Sequence, residues 1–170
     1  MKYLPLPRWM GLWLVLGMLP VQGLPAGEMP ETIPLFTLSD IDGNQVVLES
    51  FRGSVVMINF WATWCAPCIE EMPTMQALKE SLADEPFEIL AINMGEDLAA
   101  IRSFLERTGF NFSFPILLDP ATEVATRYAV QGLPATLLAD KSGKYVFGGI
   151  GAKDWNGTEA RDQILPLLAR

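Results

Sequence analysis

From residue 34 onward the chain alternates short apolar runs with stretches of helical spacing. Val55-Val56-Met57-Ile58-Asn59-Phe60 follows Arg52-Gly53 and is rich in β-branched and aromatic side chains, which predicts a buried strand. Phe87 to Met94 predicts a second buried strand, and Phe114 to Leu118 a short third. Between them, Leu98 to Thr108 has the spacing of a helix that Gly109 stops. Strand, helix and strand in that order imply a parallel crossover. Upstream, Leu35 to Leu38 and Val46 to Leu48 flank Ser39 to Asn44, with Asp42-Gly43 as the turn signal of a hairpin. Downstream, Ala121 to Tyr128 reads as a short helix and Thr136 to Ala139 as a strand. Lys141 to Lys144 then turns the chain into the strand Tyr145 to Gly149, and Trp155 to Leu168 closes it as a helix interrupted near Pro166.

One more helix, Ile69 to Ala83, follows the first buried strand, and at the junction stands Trp64-Cys65-Ala66-Pro67-Cys68 with the only two cysteines. The first turn of a helix presents unpaired N–H groups and the positive end of the helix dipole, which stabilise a thiolate. Cys65 receives most of that field and is the expected nucleophile. Cys68 lies one turn further in, shielded and within reach, as the resolving thiol. Pro67 suits the first turn, where its missing N–H is no loss, and stiffens the ring a disulfide would close. Zinc needs four ligands, usually Cys or His, and the chain has no histidine. Covalent haem needs His after the second Cys, and position 69 is Ile. A structural bond across two residues would restrict the unfolded chain little. A redox-active dithiol, with no metal and no cofactor, fits best.

Two adjacent acids separate on the helical wheel. Glu71 shares an apolar arc with Cys68, Met75, Leu78 and Leu82, although Pro73 is expected to kink the helix, and Glu70 projects away as a solvated charge. Partly buried, Glu71 should gain proton affinity and is a candidate proton carrier for Cys68; a rim position is the alternative. Glu96 follows the second buried strand, at the edge where open α/β sheets place their sites, and is a second candidate site residue. Favouring the next helix N-terminus together with Asp97 is its other reading.

At 170 residues and 50% hydrophobic, the chain suits one domain, placed at 34–170. Residues 1–23 stand apart: Lys2 and Arg8 precede the apolar run Trp9 to Leu19, then Pro20 and small residues, the layout of an export signal. Cleavage near Gly23 and retention as an anchor both place the remainder outside the inner membrane, and only the anchor would keep membrane contact. Residues 24–33, rich in Pro, Gly and Glu, read as a linker. Loss of Lys2 and Arg8 takes the formal charge from −8 to −10, so nucleic acid is not an expected partner. There is no internal repeat, no phosphate-binding glycine loop, and no histidine for a Ser/His/Asp site.

Asn59-Phe60-Trp61-Ala62-Thr63-Trp64-Cys65-Ala66-Pro67-Cys68, followed by Glu70-Glu71-Met72-Pro73, resembles the active-site segment of TlpA/ResA-type thiol:disulfide oxidoreductases. The resemblance covers about residues 34 to 168. It implies a thioredoxin fold, an α/β class with a central mixed sheet flanked by helices, preceded by an added N-terminal β-hairpin. It adds weight to Glu71 and Glu96 as active-site acids. Thioredoxins themselves carry an aspartate six residues before the first cysteine, where this chain has Asn59, which takes no proton. Leu133-Pro134-Ala135-Thr136 resembles the cis-proline loop that packs against the cysteines and leaves Leu133 free to pair with an extended substrate segment. Trp64, Ala66 and Pro67 are the other expected substrate contacts. The family implies a periplasmic reductant of disulfide-containing exported proteins, such as apocytochrome c or copper-site cysteine pairs, recharged by a membrane thiol donor of the DsbD/CcdA kind. Two alternatives are a copper(I) carrier, which two thiolates would suit, and a peroxiredoxin, which needs Thr or Ser where Ala62 stands.

Overall fold

The structure, a computed structural model, describes residues 31–169. Residues 1–23, read as an export signal, and most of the expected linker lie outside the described residues. Short β1 (Thr37–Ser39) and β2 (Gln45–Val47) pair antiparallel as the expected hairpin, Thr37 opposite Val47. The Asp40 carboxylate makes its turn by accepting the N–H groups of Asp42 and Asn44 at 2.9 and 2.8 Å, with Gly43 at φ 87°. A 3-10 turn, Leu48–Phe51, leads into β3 (Val55–Trp61). Then follow α1 (Ala66–Ser81), β4 (Phe87–Met94), α2 (Leu98–Thr108), β5 (Ile116–Asp119), α3 (Glu123–Arg127), β6 (Ala135–Ala139), β7 (Tyr145–Ile150) and α4 (Thr158–Leu168).

The five-stranded sheet has the order β5-β4-β3-β6-β7. β3, β4 and β5 run parallel, as the crossover predicted, whereas β6 is antiparallel to both β3 and β7. Every residue of the central β3 is buried. Its period of two divides the core. Val55, Met57 and Trp61 pack with Met72, Met75 and Leu78 of α1, Ile101 and Phe104 of α2, and Ile164 and Leu167 of α4. Val56, Ile58 and Phe60 face Val124 and Ala125 of α3 together with Ile33, Phe36 and Leu48 from the N-terminal region. Tyr128 closes that second layer, its ring against Phe36 and Phe60 and its O–H donated to the Pro34 carbonyl at 2.5 Å.

Several boundaries move. Residues 31–33, read as the end of the linker, instead join the sheet region: Thr32 bridges Lys144, Tyr145 N–H reaches the Glu31 carbonyl, and Ile33 is buried. Burial of one isoleucine and two backbone bonds outweigh the polar composition around them. The helix predicted from Ile69 starts at Ala66, because Cys65 caps it and Pro67 is compatible with its first turn. The strand expected from Phe114 begins at Ile116. The closing helix starts at Thr158 and continues past Pro166, which lies in its last turn, so Trp155 precedes the helix. α2 ends as expected, on Gly109 in the left-handed region at φ 67°.

Candidate active site

Cys65 occupies the N-cap of α1, where its Sγ accepts the backbone N–H of Cys68 at 3.3 Å. Sulfur at that position receives an otherwise unsatisfied helix N–H, which is what favours a thiolate once the pair is reduced. Here the two sulfurs form the Cys65–Cys68 disulfide. Cys65 is 5% exposed and Cys68 is fully buried, so an incoming group meets Cys65 first.

An open groove of about 700 Å³ borders the pair, lined among others by Trp64, Cys65, Pro67, Met94, Gly132 and Leu133. Trp64 stands 71% exposed on its rim. It leaves a large aromatic surface in water beside the Cys65–Cys68 disulfide. The Leu133–Pro134 peptide is cis, and Leu133 makes no backbone hydrogen bond among the described residues. The groove thus gathers Trp64, Ala66, Pro67 and Leu133, with Pro134 buried just behind.

Glu96 does not aim at the sulfurs. Its carboxylate receives the Thr63 N–H at 2.7 Å, the Thr63 hydroxyl at 2.5 Å and the Asn93 side-chain amide at 2.8 Å. It therefore ties the end of β4 to the loop that delivers Cys65. Asp97 alone caps α2, accepting the Ala100 N–H at 2.8 Å. Sequence reasoning singled out Glu96 but missed Thr63 and Asn93; the signal was an asparagine inside an apolar strand.

Glu71 is 2% exposed, on the face of α1 turned to the sheet, while Glu70 is exposed, as the wheel predicted. Asn59 Nδ2 donates to its Oε1 at 2.8 Å, and the Lys153 N–H and the Trp155 Nε1–H both donate to its Oε2 at 3.1 Å. Burial pushes the Glu71 carboxyl above its ordinary value, and these three donors partly offset that by favouring the charged form. Neither Lys153 nor Trp155 was legible as a partner of Glu71, since the loop holding them lies more than eighty residues away. Among the described residues, no group of three or more His, Cys, Asp or Glu side chains is arranged to hold a metal ion.

Comparison with known proteins places this geometry. Residues 29–146 match the AhpC/TSA family model. The thiol-disulfide oxidoreductase ResA of Geobacillus thermodenitrificans is 44% identical over 113 residues, which is 66% of this chain and 64% of that protein. The ResA of Bacillus thuringiensis is 31% identical over 143 residues, covering 84% of this chain and 78% of the relative. Among solved structures, a Chlorobium tepidum protein described as a thiol:disulfide interchange protein, DsbE, superposes with a TM-score of 0.76 at 28% identity, covering 83% of this chain and 98% of that one.

Proposed function

The chain belongs to the AhpC/TSA family, as a TlpA/ResA-like member of the thioredoxin superfamily, and from that premise we propose that it exchanges disulfides with partner proteins through Cys65 and Cys68. The observation that carries this reading is the position of Cys65: a helix cap at the mouth of a groove, bonded to a sulfur one turn deeper. With the pair reduced, the Cys65 thiolate attacks one sulfur of a partner disulfide, forming a mixed disulfide and releasing the partner's other thiolate. Cys68, deprotonated, then attacks Cys65, closing the Cys65–Cys68 bond and freeing the partner as a dithiol. Two electrons pass to the partner. In this reading Glu71, in the next turn of α1 and buried like Cys68, takes its proton.

The finer reading is a periplasmic reductant of exported proteins, serving apocytochrome c or copper-site cysteine pairs and recharged by a membrane thiol donor. The thiol-disulfide oxidoreductase and interchange names of the relatives support exchange with protein disulfides, and the layout of residues 1–23 supports export. Leu133 offers its backbone to an extended partner segment, and Trp64, Ala66 and Pro67 flank the sulfur it must reach. The peroxidase alternative requires a hydroxyl three residues before the nucleophile, and Ala62 stands there, fully buried. Equilibrating the protein with dithiothreitol or glutathione tests the direction. A potential toward the thioredoxin end, about −270 mV, is expected, and one near the strong oxidant DsbA, about −120 mV, overturns the reductant role. Cys68→Ala should accumulate mixed disulfides, and failure to trap any would remove the exchange reading.

A further inference from the structure

Asn59 stands fully buried in an otherwise apolar β3. Its Nδ2 donates to Glu71 Oε1 at 2.8 Å and to Thr136 Oγ1 at 2.9 Å, while its Oδ1 is buried with no partner among the described residues. Buried amides ordinarily use both ends, so an orphaned oxygen calls for a reason. Glu71 supplies it. Its carboxylate is touched by three N–H donors, from Asn59, Lys153 and Trp155, and a charged carboxylate only accepts. A protonated Glu71 has in addition an O–H to place, which those donors cannot receive. Half a turn of the Asn59 amide about its terminal torsion, a soft two-fold motion, exchanges Nδ2 for Oδ1. Oδ1 then accepts both the Glu71 O–H and the Thr136 hydroxyl, which donates as readily as it accepts. In either orientation one end of the amide is left over, so the orphaned end does not choose between them and the proton on Glu71 does: a carboxylate needs Nδ2 facing it and a carboxylic acid needs Oδ1.

We infer that Asn59 is a positioning residue whose amide turns over as Glu71 gains or loses its proton, passing the change to Thr136, two residues beyond Pro134. β3 and β6 pair Asn59 directly with Thr136, so the coupling crosses one strand. This rests on the exchange reading above for its purpose, since it links the acid that serves Cys68 to the loop where a partner segment would pair. No proton leaves Glu71 for Asn59. The other charged groups around Glu71 are Glu70 on α1, and Lys153 and Asp154 from the loop after β7, while Cys68 is held in the disulfide and does not titrate. The Lys153 ammonium is held by Glu159 of α4 at 2.9 Å, and β3 and β6 present Asn59 and Thr136, neither of which titrates.

The test is nuclear magnetic resonance on the oxidised full chain, following the Asn59 side-chain NH2 and the Glu71 carboxyl carbon from about pH 3 to about pH 9. Overhauser contacts from the NH2 protons to the Glu71 and Thr136 side chains should be present above the Glu71 midpoint, lost below it, and independent of pH in Glu71→Gln. Contacts that persist across the whole range overturn the inference. Disulfide exchange assayed on the same protein separates the two claims. A chain that exchanges with a fixed amide loses only this one, and a chain that turns its amide over without exchanging loses only the functional reading.

Discussion

Glu71 is the side chain whose surroundings say most about chemistry, because a buried acid is kept only where something answers it. Burial raises its proton affinity in the folded chain, so the folded state keeps the proton to a higher pH than the unfolded chain does. Stability from this group is therefore full below the ordinary carboxylate value and is lost as pH rises through the folded value. Glu71→Gln suffers no such loss. Its urea midpoint, measured relative to the parent protein, should climb from acid to neutral pH, and the limb of the exchange rate profile that belongs to Glu71 should vanish; a flat relative midpoint contradicts the assignment. Trp155→Phe removes one of the three donors and should lower stability by roughly 1–3 kcal/mol at neutral pH. The deficit should shrink in acid, where a neutral Glu71 needs the donor less. At this scale Cys65, Cys68 and Glu71 could be singled out, because the cysteines stand at a strand-to-helix junction and Glu71 shares a helical arc with Cys68. Lys153, Trp155 and Thr136 were not, since the partnership of the first two with Glu71 and of Thr136 with Asn59 is made by the way β6, β7 and the loop after it return across the sheet, which no local pattern encodes.

Among the elements, the informative link is between β4 and α1. The two are consecutive neighbours through β3, yet the loop carrying Thr63 would be held only by its flanks were it not for Glu96 at the end of β4. Glu96→Ala removes the acceptor of the Thr63 N–H and hydroxyl and of the Asn93 amide. A loss of roughly 1–3 kcal/mol is expected in chemical denaturation, with slower exchange because the Cys65 loop is less well placed. Unchanged stability together with unchanged exchange would reduce Glu96 to a surface charge. Strands were read well from sequence because β3, β4 and β6 are buried on both faces and appear as apolar runs interrupted only by Asn59, Glu88, Asn93 and Thr136. Helix starts were read less well: Cys65 as a cap and Thr158 as a first residue depend on backbone geometry that spacing does not report. The pairing of residues 31–33 with the turn before β7 was hidden for a similar reason, since two backbone bonds leave no mark in composition.

For the molecule as a whole, the order of strands decides where chemistry can occur. The parallel pair β3 and β4 end together on the side where α1 begins, and antiparallel β6 brings the Leu133–Pro134 loop to the same end. Cysteines, groove and cis-proline loop therefore meet by topology, and the resemblance of the segment around Cys65 was enough to anticipate the fold, though not the donors around Glu71. Among the described residues no helix is long and apolar enough to cross a membrane. Everything proposed about exchange depends on the Cys65 sulfur ionising more readily than its partner, because the first turn of α1 converges on it. The direct measurement is the rate at which iodoacetamide labels each thiol of the freshly reduced protein near neutral pH, read by mass spectrometry of the separate sites. Preferential, rapid labelling of Cys65 with Cys68 lagging well behind is the predicted result. Equal and ordinary rates at both sulfurs would contradict it.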